Sequence, residues 1–136
     1  MAFVHLHTHT EFSLLDGSNK ITEYVKRVKE LGMNSAAITD HGVMYGAIDF
    51  YKACVKEGIK PIMGCEGYFL PKYKPQTRGY HLCLFAKTKQ GYTNLNTLQY
   101  EGEKIKYYNP IWTFELLEEY HEGLICTSAC VAGYLA

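Results

Sequence analysis

No stretch of this 136-residue sequence is apolar for long enough to span a bilayer, and its N-terminus lacks the basic-then-apolar order of a secretory leader. Membrane insertion and export are therefore not expected, and a cytoplasmic location is. An excess of one charge is missing too, since Lys plus Arg and Asp plus Glu both number 14. Without a net positive field nothing general draws the chain to nucleic acid or anionic lipid, so any contact with DNA must be local. Among Cys54, Cys65, Cys83, Cys126 and Cys130 there is no Cys-x-x-Cys pair, and five is an odd number. They read as reduced thiols, most of them filling buried positions as small apolar residues, Cys126 included. Repeats and low-complexity tracts are absent. What remains is a soluble globular composition, 47% hydrophobic, long enough for one domain with a real core and too short for two.

What the chain does have is FVHLHTHTEFSLLDG at residues 3–17, with His5, His7 and His9 at alternate positions and Asp16 just beyond. An extended strand sends alternate side chains to one face, so His7 and His9 present two imidazoles to the same space, a metal-binding arrangement. A tolerated histidine-rich surface strand is the competing reading.

Strands are expected over residues 3–7, 35–39, 60–69, 81–86 and 123–129. Helices are expected over residues 22–31, 47–56, 90–103 and 114–120, the last capped by Thr113. Strands separated by helices imply right-handed βαβ units and a parallel sheet, with functional groups gathered at the C-terminal ends of its strands. His7, His9, Asp40, His41 and Glu66 obey that rule. His81 breaks it by opening its strand, so either the boundary is misplaced or the residue enters from a neighbouring loop.

Collected, the polar residues are His7, His9, Asp16, His41, Glu66 and His81, with Cys130 after the last strand. Imidazole, carboxylate and thiolate suit zinc, manganese or iron, whereas magnesium prefers oxygen alone. There are more donors than one ion requires, which points to two or three ions with Glu66 as the bridge. Such sites hydrolyse phosphate esters by lowering the pKa of a bound water and clamping the attacking and leaving oxygens. Asp16 precedes Gly17 and also reads as half of a turn. His121, in EEYHEG, reads as a solvated helix-end residue. Tyr100, Tyr107, Tyr108, Tyr120 and Tyr134 have no basic groove beside them and read as packing or interdomain surface.

FVHLHTHTEFSLLDG, AAITDHGVMYGAIDFYKACVKEGIKPIMGCEGYF and HLCLFAKTKQGYTNL together resemble the PHP (polymerase and histidinol phosphatase) domain, in the form found in bacterial DNA polymerase III alpha subunits. The resemblance spans essentially the whole chain. It implies a distorted (βα)7 barrel with a trinuclear metal centre. The family's first ligand pair falls on His7 and His9, the acidic ligand on Asp16 and the Thr-Asp-His histidine on His41. Glu66 matches the bridging carboxylate, His81 the histidine of the following strand, and Cys130 a position held by Cys or His. Asp40 matches a partner that orients ligands without binding metal itself, and His5 a supporting residue. Through the bound metal, His7, His9, His41 and Glu66 are the catalytic set the resemblance implies.

One departure matters. The family's site is completed by a late Asp-x-His pair, which this sequence does not contain. The polymerase carboxylates are absent as well. The resemblance therefore implies the first part of a single PHP domain, truncated before its last strands and unable to synthesise DNA. It carries at most a metal-dependent phosphoesterase activity, of 3′–5′ exonuclease or pyrophosphatase type. Partners implied are DNA, the remaining polymerase domains and a proofreading exonuclease subunit. An unpaired sheet edge should make the isolated piece self-associate or leave it marginally stable. Two other functions stay open: a non-catalytic, metal-stabilised scaffold, and a stand-alone phosphatase of the histidinol-phosphate type.

Overall fold

Apolar spacing dictates the helices, and they form close to where it places them. In the computed structural model, which describes residues 3–135, α1 (Ile21–Glu30) turns Ile21, Val25 and Val28 inward. The next helix, α2 (Ala47–Glu57), buries Ala47, Phe50 and Cys54. With Ala36 and Ile38 of β1 (Ser35–Ile38) and with Ile59, most of these side chains form one core cluster. A second cluster lies under α3 (Lys89–Lys104), where Leu95 and Leu98 meet Cys65, Phe69, Leu82, Leu84 and Trp112. Each such leucine contributes about 1.5–3 kcal/mol by leaving water. The short α4 (Phe114–Tyr120) starts at Thr113, whose hydroxyl accepts from the Leu116 N–H. Among the described residues no helix is long and apolar enough to cross a membrane.

The spine of the sheet is β2 (Lys60–Leu70). Along one edge it pairs in parallel with β1, from Ser35 beside Lys60 to Ile38 beside Met63, and further on with β4 (Ile111–Thr113). Along the other edge β3 (Tyr80–Ala86) runs antiparallel, placing Cys83 opposite Glu66 and His81 opposite Tyr68. Beyond it β5 (Leu124–Thr127) is antiparallel to β3. The fold is thus mixed α/β, and the expected parallel sheet holds for β1, β2 and β4 but not for β3 and β5. Residues 71–79 link β2 to β3 without a helix, and so short a connection joins antiparallel neighbours, whereas a parallel crossover needs a dozen residues or more.

Three further expectations change. Residues 3–7 form no ladder among the described residues; instead the Thr8 carbonyl accepts from the Thr39 N–H at 2.8 Å, and the Thr8 N–H donates to Thr39 Oγ1 at 2.8 Å. Residues 111–113 form a strand too short to show a period in the sequence. Cys126 is exposed and not core, lying on β5 at the end of the sheet, while Cys54, Cys65 and Cys83 are buried as expected.

Alternation along β2 and β3 decides what faces the site. Cys65 and Phe69, with Leu82 and Leu84, point into the second core cluster, so Glu66, Tyr68, His81 and Cys83 point to the opposite face. Trp112 crosses β2 at Gly67, where a Cβ would collide with its ring. Because β3 runs antiparallel, its first residues lie beside the last part of β2. His81 therefore reaches the same end of the sheet as His41 and Glu66 although it opens its strand, and its boundary stands within one residue of the expected one.

Candidate metal centre

The loop that carries the first histidines is fixed from beneath by Asp40, which is 1% exposed. Its Oδ1 accepts from the Thr10 N–H at 2.6 Å and from Ser13 Oγ at 2.7 Å, and its Oδ2 accepts from Thr10 Oγ1 at 2.7 Å. Ser13 Oγ in turn accepts from the His41 N–H at 3.1 Å. Asp40 thus touches none of the imidazoles; it sets the backbone on either side of them.

Glu66, fully buried, is where the site converges. Its Oε2 lies 3.0 Å from His7 Nε2, 3.2 Å from His9 Nε2 and 3.0 Å from His41 Nδ1, and its Oε1 lies 2.7 Å from His81 Nδ1. Despite those distances, Oε2 and His41 Nδ1 have no aligned hydrogen bond, and neither does His9 Nδ1. Ring nitrogens and a carboxylate oxygen are crowded together without N–H donors pointing along the contacts. His9 and His41 stack at 4.0 Å between ring centres.

Asp16 Oδ2 lies 2.8 Å from His41 Nε2. Cys130 Sγ lies 3.4 Å from His81 Nδ1 and 3.8 Å from Glu66 Oε1. It is brought there by the chain after β5, where the His81 N–H donates to the Ala132 carbonyl at 3.0 Å. The seven residues named from sequence therefore gather from five separate segments. His5 does not join them: it is exposed and packs edge-on against Phe3 at 4.7 Å. His121 is exposed at the end of α4, as expected, with Nδ1 2.8 Å from the Glu118 carbonyl.

Charge follows this geometry. Burial pushes the Glu66 carboxyl upward, but the close imidazoles of His41, His9 and His7 outweigh it and hold the group far below the usual carboxylate range. The contact with Glu66 raises the His41 pKa against the opposing effect of burial, and Asp16 adds to the rise. The same contact with His41 lowers Asp16. Cys83, beside Glu66, is pushed up to about 12 by burial and by the carboxylate's charge, so it stands protonated.

Donors within 4.8 Å of one another form three overlapping groups: His7, His9 and Glu66; His9, Asp16 and His41; His41, Glu66 and His81. Buried donors lacking hydrogen bonds, drawn from imidazole and carboxylate, fit divalent metal ions of the zinc, manganese and iron kind. The group opens on a cavity of about 460 Å³ bordered by His7, His9, Asp16 and Tyr24.

Sequence reasoning missed Thr10, Ser13 and Tyr68. Tyr68 was findable, because it follows Glu66 by two on a strand and so shares its face; its ring lies 5.2 Å from His81 and 6.4 Å from His41. Thr10 and Ser13 answer the question of what a buried Asp40 must accept from.

The sequence matches the PHP domain family over residues 5–136. It is 52% identical to the DNA polymerase III subunit alpha of Helicobacter pylori over 97% of this chain, and 49% identical to that of Campylobacter jejuni over 96%. It spans 11% of the length of either relative. Among solved structures, a protein of Bifidobacterium adolescentis described as a metal-dependent phosphoesterase superposes with a TM-score of 0.55 at 20% identity, over 74% of this chain and 33% of its own. An amidohydrolase of Chromobacterium violaceum, with bound sulfate and no metal, gives 0.57 at 21% identity over 76% of this chain and 34% of its own. Those two likenesses are of fold. The family match covers nearly every residue and includes all seven that converge around Glu66, so this chain belongs to the PHP domain family.

Proposed function

We propose that the chain is the metal-binding part of a phosphoesterase centre within a replicative polymerase subunit, acting on phosphodiesters as an exonuclease or on pyrophosphate. The observation that carries this reading is Glu66: one buried carboxylate with three imidazoles at one oxygen and a fourth imidazole and a thiol at the other, and with no hydrogen bonds aligned to Oε2. His7, His9, Asp16, His41, Glu66, His81 and Cys130 would hold two or three divalent ions, with Glu66 shared between them. Bound, those ions supply an activated water at neutral pH and positive charge for the attacking and leaving oxygens. Asp40 keeps the histidine loop in register through Thr10 and Ser13. In this reading the mixed sheet is the first part of a distorted (βα)7 barrel, and the partners are DNA, the polymerase domains and a proofreading subunit in a bacterial cytoplasm.

Metal content of carefully prepared protein, followed by hydrolysis of a single-stranded oligonucleotide with and without His9→Ala, tests the reading. Bound metal and a His9-dependent activity are expected; protein that binds no ion rejects it. The seven donors come from five segments, so an ion would also staple the fold, and this favours the scaffold as a second reading. Chelation that lowers the melting temperature while no substrate is ever hydrolysed selects the scaffold. Preference for a small phosphomonoester over an oligonucleotide selects a histidinol-phosphate-type phosphatase.

A further inference from the structure

A second cavity adjoins the centre. It measures about 310 Å³ and is bordered by Tyr68, Arg78, His81, Tyr107, Tyr108 and Asn109. That is at the small end of the roughly 300–1,000 Å³ of ligand pockets, with room for one ring system and a sugar. His81 belongs to both the cavity and the donor group. The larger groove between Tyr45 and Gln99 contains Glu103, no cation and no residue of the donor group.

Three features mark the small cavity. Arg78 is one of only two arginines in the sequence. Among the described residues it has no carboxylate partner, and its guanidinium lies 5.2 Å above the Tyr108 ring. A Cβ at Gly79 would come within 2.6 Å of the Tyr68 backbone, so glycine is what lets this loop press against Tyr68 and deliver Arg78. Tyr108 is 72% exposed, yet its φ is 63°. Glycine adopts that left-handed conformation freely and a bulky aromatic does not. The turn is closed beside it, the Tyr107 N–H donating to the Asn109 carbonyl at 3.2 Å, and the two tyrosine rings meet edge to face at 4.6 Å. An exposed aromatic held in a strained turn, over a cavity that also has a cation with no carboxylate partner among the described residues, is a placement that folding alone does not call for.

We propose that this cavity holds the base and sugar of a nucleotide whose phosphate lies at the imidazole and carboxylate centre. The base stacks at Tyr108, Asn109 offers an amide to its edge, and Arg78 meets phosphate charge. The proposal rests on the phosphoesterase reading for the position of the phosphate. Stacking tolerates any base, so the site selects nucleotides over other phosphate esters without reading sequence.

Calorimetric binding of deoxyadenosine 5′-monophosphate, 2-deoxyribose 5-phosphate and a short single-stranded oligodeoxyadenylate tests it. The full polypeptide is used, metal-loaded and chelated, as wild type, Tyr108→Gly and Arg78→Gln. The nucleotide should bind about ten-fold more tightly than the sugar phosphate, in line with one stacked base. Tyr108→Gly should abolish that preference without lowering the melting temperature, because glycine relieves the strained φ. Arg78→Gln should weaken every phosphate ligand. Equal binding of nucleotide and sugar phosphate, or a preference that survives Tyr108→Gly, overturns the proposal. If the preference depends on Tyr108 but chelation changes no affinity, the base site stands and the metal reading falls. Tighter, Tyr108-dependent binding of the oligonucleotide identifies a strand end as the source, and equal binding identifies the free nucleotide.

Discussion

His41 bears on metal binding through its protons. The contact with Glu66, aided by Asp16 and opposed by burial, raises its pKa, so the ring keeps its proton above the ordinary value of about 6.5. A metal ion requires the neutral ring, and protons therefore compete with it until the pH has climbed past the raised value. Metal affinity should increase from about pH 6 to pH 8, and Asp16→Asn should lower the affinity by removing a donor while moving the rise to lower pH by removing one group that favours the imidazolium. Chelator-competition titrations check this, and an affinity flat across that range would refute it. In metal-free protein the sign reverses: stabilisation by charged His41 is complete below about 6.5 and is lost as the pH rises through the raised value. Asp40 makes a different case. Asp40→Ala strands the Thr10 N–H and the Thr10 and Ser13 hydroxyls inside the protein, at about 1–3 kcal/mol for each unsatisfied group. Asp40→Asn keeps an acceptor for two of them and should destabilise less, a difference that chemical denaturation resolves. His7, His9, His41 and Glu66 were legible in the sequence as polar residues at strand ends, while Asp16, His81 and Cys130 drew their place from the resemblance to the PHP family. What Asp40 does was not legible, since its partners Thr10 and Ser13 lie some thirty residues earlier.

Elements were legible to the degree that their signals are local. The three longer helices announce themselves by apolar spacing, and caps sharpen their ends: Thr88 accepts from the Gly91 N–H at 3.0 Å at the start of α3. Thr88→Ala should destabilise by about 1 kcal/mol, measured as a shift in denaturation midpoint with unchanged slope; no shift would show that the Thr88 cap contributes nothing to this helix start. Strand direction is not a local property. HLCLFA reads the same whether it runs with β2 or against it, and the absent helix over residues 71–79 was the one available sign. The antiparallel β3 removes the anomaly of His81, because a strand that starts where its neighbours end delivers its first residue to the shared rim. Residues 3–7 alternate like a strand but find no ladder; threonine hydroxyl and backbone bonds to Thr39 hold the segment, and two imidazoles still reach one carboxylate oxygen.

At the scale of the whole molecule, the sheet ends at β5, whose outer edge pairs with no strand among the described residues. That strand carries Ile125, 49% exposed, and the exposed Cys126, and the chain after it shows Val131 at 95%. An open row of N–H and carbonyl groups flanked by exposed apolar side chains is a template for another strand. The curated relatives are about nine times as long as this chain, so in a longer polypeptide other segments are at hand to cover that edge. For the chain by itself, a second copy is the nearest supply of such a strand. Sedimentation velocity should then show mass rising with concentration in reducing buffer, which removes disulfide linkage through Cys126 as the cause. A charge at the edge opposes strand addition, so Ile125→Lys should shift the chain toward monomer while costing little stability, its site being half exposed. A chain that sediments as one monomeric species across a wide concentration range, with or without the substitution, would show that the β5 edge does not recruit a second copy.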